Sequence, residues 1–158
     1  MAYYKFYIQK EGKDSSGSEF PIKELGEDFG LFEVESKFYG NRAIKNVPAR
    51  SWNDEDGDDE FVPETYKYKA YEMEIKLACK GAPESSNRVI KTFEDYLSGG
   101  TFKIYDSFNG IGRQNVRYVE IPDDAKLYRH YKGEEEALVF SLKLKVNDPK
   151  TEITLSKP

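Results

Sequence analysis

The stretch "ALVFSLKLKV", residues 137–146, alternates without a break. Leu138, Phe140, Leu142, Leu144 and Val146 share one parity, while Val139, Ser141, Lys143 and Lys145 form the other, mostly polar one. Successive side chains of a strand point to opposite faces, so this is an antiparallel strand with a single buried face.

Working outward, "TYKYKAYEMEIKLACKG" (65–81) repeats the pattern with a change of register. Tyr66, Tyr68 and Ala70 share one parity, and Tyr71, Met73, Ile75, Leu77 and Cys79 the other. A one-residue slip turns every side chain to the opposite face, so a bulge or bend is expected near Ala70. "YYKFYIQ" (3–9), "LFEVESKFYG" (31–40), "TFKIYD" (101–106), "RQNVRYVEI" (113–121) and "KLYRHY" (126–131) also read as strands. The convincing helix is "SSNRVIKTFEDYLSGG", about 87–98, with Val89, Ile90, Phe93 and Leu97 at helical spacing. Ser86 or Asn87 can cap its start, and Gly99 stands where a left-handed C-terminal residue is wanted. Many strands and one helix in this order predict a mainly β, α+β fold: an antiparallel β-sandwich or barrel with one packed helix. A chain of 158 residues with no repeat and no linker is expected to be a single domain, 1–158.

The net charge of −5 conceals an asymmetry. Residues 51–64 hold seven acids and no Lys or Arg, and without them the rest of the chain carries +2. Asp54, Glu55, Asp56, Asp58, Asp59 and Glu60 are interrupted only by Gly57, and the run is entered through Arg50 and the single tryptophan, Trp52. A calcium loop of EF-hand type would place its first ligand at Trp52 and its twelfth at Pro63, and neither can supply a side-chain oxygen. A catalytic carboxylate pair needs two unlike environments, which a polar loop does not provide. The run therefore reads as a solvated loop, with Arg50, Trp52, Asp54, Glu55, Asp56, Asp58, Asp59 and Glu60 as a candidate interaction or assembly surface.

No catalytic, cofactor or metal residue is assigned. Cys79 is the only cysteine, which excludes an internal disulfide and a thiolate zinc site. A Cys79–His130 nucleophile and base is outweighed by Cys79 ending an apolar parity, the place of a small buried hydrophobe. The Gly-x-Gly of "NGIGRQ" lacks the strand–glycine–helix setting of a dinucleotide site, so a hairpin or loop accounts for it better. Arg113 and Arg117 are read as surface salt-bridge partners rather than a single-strand nucleic-acid site. The acidic balance speaks against specific nucleic-acid binding, and no run of about 18 apolar residues is present to span a membrane. The N-terminus lacks the plan of a secretory signal, so a soluble protein of a reducing compartment is expected. Aromatics at both parities (Tyr3 with Tyr4, Tyr66 and Tyr68 with Tyr71, Tyr105 with Phe102) are either covered inside a sandwich or left as contact surface for a partner.

The order of features resembles a known family. "IKELGEDFGLFEVESK" (22–37) is followed by "NVPARSWNDEDGDDEFVPETYKYKAYEMEIKLACKG" (46–81), the helix "VIKTFEDYLSGG" (89–100), "TFKIYDSFNGIGRQNVRYVEI" (101–121) and a closing "LKVNDP" (144–149). This order is similar to the N-terminal domain of the distal tail proteins of long-tailed bacteriophages, which is tail-tube-like, and to tail proteins of Bacteroidetes prophages. Val47, Pro48 and Arg50 stand at the family's "VPGR-G"-like segment, with Ala49 where glycine is common. Tyr96 and Leu97 stand at its "WL"-like pair, and Ile104 and Asp106 at its following "L-I-x-D" strand. The resemblance implies a non-enzymatic structural protein of the virion tail, made in the bacterial cytoplasm. It further implies a homo-oligomeric, usually hexameric, ring at the tail tube or its distal end, with neighbouring tail proteins as partners and DNA merely passing through a lumen. In that setting the acids would repel phosphate or face the next subunit. The other reading is a carbohydrate- or ligand-binding β-sandwich, with or without a Ca²⁺ site.

Overall fold

A computed structural model describes residues 4–36, 43–122, 126–129 and 136–158. The elements in chain order are β1 (Phe6–Lys10), β2 (Lys23–Glu24), a π-helical turn (Leu25–Phe29), β3 (Leu31–Ser36), β4 (Ala49–Ser51) and β5 (Asp58–Glu60). β6 (Tyr71–Lys80), α1 (Pro83–Leu97), β7 (Phe102–Asp106), β8 (Ile111–Glu120), β9 (Lys126–Arg129) and β10 (Glu136–Val146) follow.

The alternation in β10 sets its pairing with β6. Leu138, Phe140, Leu142, Leu144 and Val146 stand directly opposite Cys79, Leu77, Ile75, Met73 and Tyr71. On the other face Lys143 opposes Glu74 and Lys145 opposes Glu72, so opposite charges meet at both of these pairs. The antiparallel sheet has eight strands, in the order β2-β1-β7-β8-β10-β6-β3, with β9 also on β10. β8 covers residues 143–146 of β10 and β9 covers 136–139 of the same edge.

β2 and β3 end this order on opposite sides, yet only residues 25–30 separate them in the chain. Seven strands laid flat would set the two ends about 29 Å apart. A six-residue link coiled into a helical turn covers only about 10 Å. The sheet therefore curls until its edges approach, without the barrel closing. Gly30, at φ +71°, ends the turn in the left-handed region, and its N–H reaches the Gly26 carbonyl at 3.1 Å.

α1 packs onto the apolar face of this curl. Phe93 and Leu97 meet Ile8, Leu25, Ile75, Leu77, Ile104 and Leu142 around a residual gap of only about 10 Å³. Such packing makes truncation costly, about 2–5 kcal/mol for a Leu→Ala change. The helix starts earlier than the capping signals predict. Pro83 occupies its first turn, where a missing N–H costs nothing, and Ala82 is the cap residue with no side-chain cap. Ser86 lies inside the helix, fully buried, with its hydroxyl donating to the Gly81 carbonyl at 3.4 Å. At the other end Ser98 is right-handed, and the left-handed residue is Gly100 (φ +112°), not Gly99.

Two further expectations change. Residues 65–70 do not extend β6: the strand begins at Tyr71, where the parity switches, and the preceding segment leaves the sheet. Arg113 is not a surface residue. It is 2% exposed, donating from Nε to the Tyr71 hydroxyl (3.2 Å) and from Nη1 to the Gly112 carbonyl (3.1 Å), with Glu152 at 3.7 Å. Arg117 does lie at the surface. Cys79 is buried, as its parity requires. His130, Tyr131 and Tyr3 fall outside the described residues.

Candidate functional site

Between β3 and β6 the chain makes an arm. The Lys69 N–H donates to the Ala43 carbonyl (2.7 Å) and the Lys45 N–H to the Lys67 carbonyl (2.7 Å), flanking an Ile44–Tyr68 bridge. Further out the Phe61 N–H reaches the Pro48 carbonyl (2.9 Å), and β4 then pairs with β5: Ala49 opposite Glu60, Arg50 opposite Asp59, Ser51 opposite Asp58. Residues 43–69 thus form one long hairpin, with the acidic run at its tip and on β5. Gly57, at φ +92°, turns the tip, a conformation that side-chain-bearing residues rarely adopt.

The structure brings three of the candidate residues together. The Arg50 guanidinium lies 5.9 Å from the Trp52 ring centroid, and Trp52 Nε1 donates to Asp59 Oδ2 at 3.2 Å. Asp54, Glu55, Asp56, Asp58 and Glu60 are all exposed. They are strung along the hairpin, and among the described residues no three or more such groups converge to hold a metal ion.

A second feature carries no sequence motif. Where the curled sheet fails to close, a groove of about 520 Å³ runs between β3 and the start of β1. Tyr4, Phe32, Val34 and Phe108 form apolar walls, with Leu25 and Leu31 behind them. Tyr4 and Phe108 meet edge to face, 4.7 Å between ring centroids. Lys5 sits 2.9 Å from Glu24 and 3.4 Å from Glu27, and Lys157 pairs with Glu27 and Asp28 at 3.0 Å each. Glu33 is different: burial, with Asp106 nearby, raises its pKa against the opposing Ser36 hydroxyl. No ion pair to Glu33 is formed among the described residues.

Exposed apolar surface concentrates on these two features. Among the described residues, the exposed large hydrophobics on the arm are Ile44, Trp52, Phe61, Val62, Tyr66 and Tyr68. Those on the groove are Tyr4, Phe32, Val34 and Phe108, and these two sets account for all of them. Phe61 is 73% exposed, far beyond what a scattered surface residue needs. Exposed apolar residues grouped in this way differ from those scattered singly over an ordinary protein surface. The aromatic surplus read from the sequence is therefore split. Tyr105 stacks on Tyr7 and Phe102 is buried, whereas Tyr66 and Tyr4 are left outside. The groove itself went unread, because apolar residues at both parities of "LFEVES" look like a strand covered on both faces.

Beneath the groove, Asp106 is fully buried. It accepts hydrogen bonds from the Phe108 N–H (2.8 Å), the Ser36 hydroxyl (3.0 Å) and the Asn109 side-chain amide, tying the β7–β8 turn to β3. Along the far side, residues 147–158 run back over β8. A Cβ on Gly112 would lie 2.1 Å from the Ile153 carbonyl oxygen, so only glycine lets this tail pass.

No protein-family model and no curated protein matches the sequence. Among solved structures the chain is similar to the crystal structure of the SPP1 Dit protein, described as a paradigm of the hub adsorption apparatus in phages infecting Gram-positive bacteria. The TM-score is 0.55 at 16% identity, over 91% of this chain and 50% of that one. The likeness is one of fold. The chain spans about half the length of the SPP1 protein. No helix among the described residues is long and apolar enough to cross a membrane.

Proposed function

We propose that this chain is a non-enzymatic structural protein of a phage or prophage tail, assembling into a ring at the tail tube or its distal end. The observation that carries this reading is the fold likeness to a phage hub protein over nearly the whole chain. The distribution of apolar surface supports it, because a subunit with two separate sticky features can bind neighbours on both sides. A cyclic assembly needs such a heterologous interface, in which the two contacting patches differ. The acidic tip then sets the charge of the channel wall or of the surface presented to the next ring. An anionic wall lets DNA pass without sticking, and at physiological salt its field reaches about 8 Å.

Sedimentation and negative-stain imaging at high protein concentration test the proposal. Discrete rings of uniform subunit number are expected, six being the number that the tail-protein resemblance suggests. A protein that stays monomeric, alone and with its neighbouring tail proteins added, overturns it.

A further inference from the structure

The groove and the lower part of the arm match in apolar character and are complementary in charge. The groove is apolar with three acids among its lining residues: Glu24 and Glu27 are paired with Lys5, Glu27 also with Lys157, and Glu33 stands apart from these pairs. The arm stem is apolar with bases: Ile44 and Tyr66 are 41% and 42% exposed, beside Lys45, Lys67 and Lys69. Lys69 is held by Asn46 at 3.1 Å, while Lys45 and Lys67 make no side-chain ion pair among the described residues. Glu33 in the groove makes none either. A half-buried carboxylate lacking a cation on one surface and two such lysines on the other are what a heterologous contact would pair.

Backbone geometry points the same way. β3 is the last strand of the sheet, with β6 on one side and no strand on its outer edge among the described residues. β1 is paired on its outer side with β2 only at Tyr7 and Ile8. The opening between them is therefore bordered by main-chain N–H and C=O groups able to receive an extended segment. Residues 61–67 run along the arm outside any named strand, and after a bend at Glu64 and Thr65 they present Tyr66.

We propose that the groove between β1 and β3 is the docking site for the arm stem of a second copy of this chain, with Tyr66 entering the apolar cleft and Lys45 and Lys67 meeting Glu33. This deepens the assembly reading above and rests on it for the identity of the partner. The acidic tip, carried on the same arm, is left beyond the contact, which keeps six like charges away from the groove's own acids. Because donor and acceptor are different surfaces, each copy uses both, and the contact propagates until a ring closes.

Charge exchange tests the contact. Glu33→Lys sets lysine against lysine at every interface, and Lys45→Glu with Lys67→Glu sets acid against acid. Each protein alone should self-associate at least about tenfold more weakly. Mixed in equal amounts, they should assemble again with alternating subunits, since every contact is then complementary. In parallel, Val34→Cys and Tyr66→Cys, each in a Cys79→Ala background, should form a disulfide between the two chains and not within either alone. Circular dichroism and melting temperature check that each variant is folded.

Wild-type assembly with no effect of the charge variants and no Val34→Cys/Tyr66→Cys crosslink overturns this docking site and leaves the ring standing. A crosslink formed only in open chains supports the docking site and removes the ring. A monomer with no crosslink removes both.

Discussion

Asp106 shows how a single residue holds the functional geometry in place. It is wholly buried and accepts from three donors on two elements. Replacing it by alanine removes the acceptor of the Ser36 hydroxyl and the Phe108 N–H and one acceptor of the Asn109 amide, and a buried donor left unsatisfied costs about 1–3 kcal/mol. Asp106→Ala should therefore destabilise the protein by about 2–4 kcal/mol, read as a lowered urea midpoint at unchanged m-value. An unchanged midpoint would mean that the turn is not held this way. Arg113 shows why some residues were misread. Its neighbour across β7 is Ile104, and Val116 faces Phe102. A bulge, with Asn115 at φ +53°, absorbs the extra residue between them and lets positions of opposite parity face the same side. Plain alternation therefore exposes Arg113, and the folded chain buries it.

At the scale of the element, the arm is the part most separable from the rest. β4 and β5 pair only with each other, and the ends of the arm are pinned by the Lys69–Ala43 hydrogen bond. Excising residues 46–66 in favour of a short Gly-Ser tether should leave the body folded, with its melting temperature within a few degrees of the full chain, while self-association is lost. A collapsed fold would show that the arm supports the core, and intact assembly would show that it is not a contact. The alternation of "TYKYKA" predicted a strand, but only Tyr68 pairs, in an isolated bridge to Ile44; the discontinuity at Ala70 was legible. What that discontinuity meant was not. A parity switch is equally consistent with a bulge inside one strand and with a strand leaving its sheet, and only the pairing of Lys45 and Lys69 with the other limb decides. The helix was likewise legible from its apolar spacing. Its first turn was hidden because Pro83 and Ala82 give no capping side chain, so the polar residues downstream looked like the start.

At the scale of the whole molecule, charge and apolar surface are segregated: a nearly neutral, well-packed body, an acidic tip, and exposed apolar surface on the arm and at the groove. Converting Asp54, Asp56, Asp58 and Asp59 to Asn should leave the folding of the single chain unchanged, because these carboxylates are exposed and Asp59 alone bonds another side chain, Trp52. It should alter assembly, making ring stacking and DNA retention less dependent on salt than in the wild type, as sedimentation across a salt series would show. A misfolded variant, or one identical to wild type at every salt concentration, would refute a role for the tip. The sequence by itself determined the alternation of its two longest apolar faces, the helix and the position of the anionic run, because each rests on local periodicity or composition. Only the tertiary structure decided that the sheet curls without closing, that residues 43–69 stand out as an arm, and that Tyr4, Phe32, Val34 and Phe108 line a common groove. Those features depend on which strands become neighbours across distant parts of the chain, and a short link between the two edge strands forces that choice without leaving any pattern in the residues themselves.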